Sequence, residues 1–166
     1  MNRLKGESHP GCEVCEILTD TPDGFPTLYV GNHWIASLRN ADQTLLGTSF
    51  ITARRHVHEL DDLNIDEEFE LIVIRNALIK VIRREFQPIT FNFSCLKNYG
   101  VQGDGATEAD PHTHWHLKPR YKQPVTVNGE EFVDPMPGRY LTEFPRHRPN
   151  PETAREIFAV IYDGMN

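Results

Sequence analysis

Two periods divide this chain. Between residues 65 and 86, Leu71, Ile74, Leu78 and Ile82 recur three or four positions apart, the spacing that gathers apolar side chains on one face of a helix. The ends carry matching signals. Asn64 is followed three residues later by Glu67, a capping-box arrangement. Asp66, Glu67 and Glu68 suit the positive end of the helix dipole, and Arg83 and Arg84 the negative end. Pro88 stops further helix. This helix reads as scaffold, and its acidic start as capping rather than catalysis. A second helix opens at Asn150-Pro151, with Asn as cap and Pro in the first turn. Ala154, Ile157, Phe158 and Ile161 give its apolar face, and Gly164 its stop.

Elsewhere the pattern shortens to strand lengths. Residues 28–30 and 33–38 read as two strands about a Gly31-Asn32 turn, and 46–53 as a third, with Gly47 at a bulge or a close backbone approach. Residues 89–96 alternate as a strand that ends at 97–100. Residues 125–133 read as a hairpin about Asn128-Gly129. The stretches 20–27 and 134–149 are rich in turn formers and read as irregular. There is no repeat, low-complexity tract or linker. The order predicts one α+β domain over residues 1–166, an antiparallel sheet packed against helices, with its core at about 12–121 and a hairpin-and-helix extension at 122–166.

One strand stands apart. In Pro111-His112-Thr113-His114-Trp115-His116-Leu117-Lys118-Pro119-Arg120, three histidines are spaced by two. Alternation along a strand would put His112, His114 and His116 on one face, roughly 6–7 Å apart, and Trp115 and Leu117 toward a core. Pro119, lacking an N–H, ends the pattern. Three imidazoles so placed can bind metal, exchange protons or attack an electrophilic centre; a solvated polar face is the alternative. Before this strand, residues 101–110 form a loop rich in Gly, Asp and Ala. It is either a plain hairpin connection or a place where backbone N–H groups meet phosphate oxygens.

Composition narrows the field. Hydrophobic residues make up 39% and charged residues 25% of the 166, an ordinary globular balance with enough chain for a core. The net charge of −7 argues against a nucleic-acid binder, whose footprint is basic. No apolar run approaches a membrane span, and the first residues lack the apolar stretch of a signal peptide, so a cytoplasmic location is the expectation. The three cysteines, Cys12, Cys15 and Cys95, fit thiols or metal ligands better than a disulfide framework. Cys12-x-x-Cys15 could offer two thiolates to one metal, form a redox pair, or be two ordinary thiols.

His-x-His-x-His followed by Leu117-Lys118-Pro119-Arg120 resembles the signature of the histidine triad family of nucleotide hydrolases and transferases. The likeness runs from about Cys12 to Arg120 and takes in Asn40, Gly47 and the Arg54-Arg55-His56 segment. The resemblance implies that His114 is the nucleophile, attacking the α-phosphorus of a nucleotide to give a nucleotidyl-histidine that water cleaves. It implies that His116 donates to a phosphoryl oxygen, that Asn40 contacts the ribose, and that Asn98 contacts phosphate or ribose. It also implies a structural zinc held by Cys12, Cys15, His56 and His112, and a homodimer. The substrate would be a nucleoside phosphoanhydride or phosphoramidate, such as a dinucleoside polyphosphate. The third histidine favours hydrolase-like members over uridylyltransferase relatives, which carry Gln there. Thr113 stands where the family has an apolar residue, and the acidic 101–110 loop departs from its usual phosphate-contacting pair. Two rivals remain: a nucleotide-binding scaffold without turnover, and a three-histidine metal enzyme of cupin type.

Overall fold

A computed structural model describes residue 9 and residues 12–19, 25–96, 111–139 and 145–166. Asn98 and the 101–110 loop lie outside the described residues. In chain order the elements are α1 (Glu13–Thr19), β1 (Thr27–Val30), β2 (Trp34–Leu38), β3 (Ser49–Ala53), α2 (Ile65–Phe86), β4 (Thr90–Ser94), β5 (His114–Arg120), β6 (Val125–Val127), β7 (Glu130–Phe132) and α3 (Pro151–Met165). The first five strands form one antiparallel sheet in the order β1-β2-β3-β5-β4. The hairpin β6-β7 stands beside it, turning through Asn128 and Gly129, both at positive φ.

Helix α2 covers one face of the sheet. Its start is the capping box read from the sequence: the Asn64 side chain accepts from the Asp66 and Glu67 amides at 3.0 Å, and Glu67 Oε2 accepts from the Asn64 amide at 2.9 Å. The same buried carboxylate takes two hydrogen bonds from Arg55. Those bonds outweigh burial and hold Glu67 below the usual carboxylate range. Leu71, Ile74, Leu78 and Ile82 are buried against Trp34, Ala36, Leu38, Ile51 and Leu117, as the helical period predicts. Helix α3 packs on α2 and β1, with Ile157 and Ile161 inside.

Several boundaries differ from the sequence reading. The third strand begins at Ser49, not at residue 46. Gly47 lies in the loop before it at φ +83°, where an added Cβ would sit 3.2 Å from Ile82 Cγ2, so both the turn and the close approach to α2 require glycine. Pro119 does not end β5, which runs to Arg120. Its last rung with β3 is Ser49 opposite Leu117, so Pro119 occupies a position that is an edge on that side. Gly164 is inside α3 rather than after it. A Cβ there would meet Val81 Cγ1 at 2.7 Å and Arg84 Nη2 at 2.8 Å, so this glycine lets α3 cross α2 closely.

The C-terminal extension is fastened at two points. Arg120, at the end of β5, gives a paired hydrogen bond to Asp134 at 2.7 and 3.1 Å, and both side chains are buried. Farther on, His147 accepts from the Gln43 amide at 2.7 Å and donates its own amide to Thr44 Oγ1 at 2.9 Å. The His147 ring stacks on Phe132 and pairs with Glu130 at 2.7 Å. The extension is thereby bound to the loop between β2 and β3.

Candidate active site and metal cluster

The register of the sheet decides which side chains meet. Trp115 and Leu117 share rungs with Ile51, Ser49 and Phe93 and face α2. The opposite face carries the histidines. One rung holds Ile35, Thr52 and His114, and the next holds Ser37, Phe50, His116 and Ser94. The His114 and His116 rings lie 5.0 Å apart, and Phe50 sets its edge against His116 at 4.7 Å. Phe25 lies 5.7 Å from Phe50, extending an apolar floor beside the imidazoles.

His112 does not join that row, contrary to the expectation of three imidazoles on one face. It precedes β5, and its ring turns to the two cysteines. The reason lies in the segment around it. Thr113 bonds the Val57 carbonyl through both its amide (2.9 Å) and its hydroxyl (2.8 Å), and its own carbonyl accepts from Ala53. The chain therefore enters the sheet only at His114.

Cys12, Cys15, His56 and His112 bring one ligand atom each to within 4.8 Å of one another. His112 Nδ1 lies 3.6 Å from Cys12 Sγ and 3.4 Å from Cys15 Sγ, and His56 Nδ1 lies 3.6 Å from Cys15 Sγ. Bonds of about 2.3 Å to sulfur and 2.0–2.1 Å to nitrogen put the N···S edges of a tetrahedral centre at about 3.5 Å. The second nitrogen of His112 completes the case. Nε2 donates to the Ala53 carbonyl at 2.8 Å, so Nδ1 keeps its lone pair toward the cluster. The four residues could therefore hold a metal ion. They come from the start of the chain, the segment after β3 and the approach to β5, so an ion would clamp α1 to the sheet. Among the described residues this is the group with metal-binding geometry, and His114 and His116 are not in it, which disfavours a three-histidine metal enzyme.

His114 is half-buried. Its Nδ1 lies 2.8 Å from the His112 carbonyl. A carbonyl can only accept, so Nδ1 carries the proton and Nε2 presents a lone pair. His116 is 7% exposed, and neither ring nitrogen has a hydrogen-bond partner among the described residues. Burial, then the charges of His114, Lys118 and Arg39, push its pKa down to about 3. At neutral pH it is an uncharged imidazole with one N–H to give.

The sequence reading thus named residues that the structure groups in two places: His114 with His116, and Cys12, Cys15, His56 and His112 in the cluster. Asn40 lies in the loop after β2. Gln43, fully buried, braces that loop by donating to the Arg39 and Thr48 carbonyls at 2.9 and 3.1 Å and accepting from the Gly47 amide at 2.7 Å. Asn98 is outside the described residues. Phe50, Phe25, Arg39 and Lys118 were not singled out from sequence. Lys118 shares the parity of His114 and His116, a signal that could have found it; the others depend on the pairing of distant strands.

No family model matches the chain, and no curated protein matches it in sequence. Solved structures do match. A hypothetical histidine triad nucleotide-binding protein from Sulfolobus tokodaii aligns with TM-score 0.62 at 16% identity, over 93% of this chain and 91% of its own. A histidine triad protein from Bradyrhizobium japonicum gives TM-score 0.62 at 12% identity, over 87% and 92%. A zinc-bound histidine triad family protein from Mycobacterium smegmatis gives TM-score 0.56 at 17% identity, over 92% and 94%. With its five-stranded antiparallel sheet, the helix across one face and the histidines of β5 on the other, the chain has the fold of the histidine triad proteins.

Proposed function

We propose that this protein is a nucleotide hydrolase acting on a phosphoanhydride or phosphoramidate through a nucleotidyl-histidine on His114. The observation that carries the reading is the hydrogen bond from His114 Nδ1 to the His112 carbonyl, which leaves Nε2 unprotonated toward the open face. In the first step Nε2 forms an N–P bond to the α-phosphorus while the bond to the leaving group breaks, the leaving group keeping the electron pair. Water then attacks phosphorus, the N–P bond breaks, and the imidazole is regenerated as the water's proton is released. His116, buried one rung along, donates its N–H to a phosphoryl oxygen, and an anionic phosphate beside it favours proton uptake by its ring. Asn40 contacts the ribose, and Asn98 the phosphate or ribose.

The cluster of Cys12, Cys15, His56 and His112 is assigned to zinc by its sulfur and imidazole donors, and its role is structural. A second copy of the chain is the expected partner, with segment 122–166 contributing to the contact. A monomeric mass by light scattering at micromolar concentration contradicts that expectation. No helix of the described residues is long and apolar enough to cross a membrane.

The test is a hydrolysis panel of nucleoside phosphoramidates and dinucleoside polyphosphates on wild type beside His114→Ala. Loss of the nucleophile costs roughly a thousandfold or more in rate. Quenching at high pH, where a phosphoramidate survives, traps label on the peptide containing His114. Near wild-type turnover by His114→Ala, or label on His112, refutes the mechanism. Nucleotide binding without turnover or label leaves a nucleotide-binding scaffold in its place.

A further inference from the structure

The triad face does not end at His116. Two residues past His116, β5 brings Lys118 opposite Asn92 of β4, and just past the end of β2 the Arg39 amide donates to the Thr48 carbonyl at 3.0 Å. Lys118 has the parity of His114 and His116 on β5, and Arg39 has that of Ser37, which shares the rung of Phe50 and His116, so both belong to the triad face. Arg39 stretches back over the Phe50 ring, 5.7 Å from its centroid, the ring whose edge also meets His116. Its guanidinium is shared with Asp42 at 3.4 Å. Lys118 has neither a hydrogen bond nor an ion pair among the described residues, although it is half-buried. Arg120, next along the strand, is already neutralised by Asp134. The face therefore runs from His114, through a buried imidazole, to a lysine flanked by an arginine, and neither that imidazole nor that lysine has a hydrogen-bond partner among the described residues.

We infer that Lys118 and Arg39 form a second phosphate subsite on the triad face, so that the substrate is a nucleotide carrying at least two phosphates, one at His114 and one held at the rung beyond His116. This rests on the nucleotide reading above and narrows its substrate class. The subsite answers an electrostatic imbalance. Burial, followed by the charge of Arg39, lowers the pKa of Lys118, with Asp42 acting in the opposite direction. A dianion between the two cations offsets both effects and gives the unused lysine protons an acceptor. Strand geometry sets His114 and Lys118 about 13 Å apart at Cα, and a lysine stem spans about half of that. The second phosphate can belong to the anhydride chain or to the ribose, whose proposed contact, Asn40, directly follows Arg39.

The experiment compares the affinities of AMP, ADP and adenosine 3′,5′-bisphosphate for the full-length, zinc-loaded protein by calorimetry. Wild type, Lys118→Met and Lys118→Arg are measured. In wild type one of the two-phosphate ligands binds about ten- to a hundredfold more tightly than AMP, the range of a charge-assisted hydrogen bond. ADP gaining points to the anhydride chain; the bisphosphate gaining points to the ribose. That ratio falls toward one in Lys118→Met and is kept in Lys118→Arg. Equal affinities for all three ligands in wild type, or an unchanged ratio in Lys118→Met, overturn the subsite and leave the nucleotide reading standing. Wild type that binds none of the three overturns both.

Discussion

Replacing His116 by glutamine tests whether the fold holds this imidazole neutral. The ring is buried, neither nitrogen has a hydrogen-bond partner among the described residues, and its pKa is pushed down to about 3 from 6.5. In the unfolded chain the same ring takes a proton near 6.5. Between pH 6.5 and 3 the unfolded state therefore binds more protons than the folded state, and stability falls as pH falls through that window. Above pH 6.5 the contribution is complete and flat. At pH 5 the unfolded ring is favoured by RT ln(1 + 10^1.5), about 2 kcal/mol, and almost none of this is felt at pH 7.5. Glutamine keeps an amide of similar reach and cannot titrate. Urea unfolding of the two proteins, prepared alike, at both pH values then isolates the term, because every other titrating group is common to the pair. Wild type should lose about 2 kcal/mol more than His116→Gln on going from pH 7.5 to 5. If the two proteins lose the same amount to within about 0.5 kcal/mol, His116 accepts its proton inside the fold and the neutral assignment is wrong.

Protein purified without added metal should contain about one zinc per chain, measured by elemental analysis, and Cys12→Ala with Cys15→Ala should abolish it. Chelation should lower the melting temperature of wild type and leave that double variant unmoved. Asp134→Ala strands the buried Arg120 guanidinium and should cost about 3–5 kcal/mol in denaturant unfolding. Gly164→Ala gains about 1 kcal/mol of helix propensity but drives a methyl into Val81, so a net loss of about 1 kcal/mol is expected, and a stabilised variant contradicts the close crossing of α2 and α3.

What could be read from the sequence follows from how local each signal is. Helix α2 declares itself through its cap, its charged ends and its period, all within one segment. The alternation of β5 correctly divided His114 and His116 from Trp115 and Leu117, because parity needs no partner strand. It failed at both ends of that strand. His112 leaves the row because Thr113 is bonded to Val57, and Pro119 is tolerated because β3 has turned away at Gly47; both causes are more than fifty residues distant. Helix α1, seven residues long, has no periodic signature, and its Cys15 meets His56 and His112, 41 and 97 residues away in the chain. Phe50 and Arg39 became site residues only through a register that no local pattern encodes.

The bond between His147 and the Gln43–Thr44 turn carries a consequence for when the protein becomes competent. The partners are 103 residues apart in the chain. Closing a loop of that length brings no compensating contact until both ends are in place, so such a contact forms late in folding. During synthesis, the sheet and α2 can assemble while the turn beside Asn40 still lacks its outer support. The face that carries His114 and His116 would then gain its outer support only after residue 147 has been synthesised and has docked on that turn.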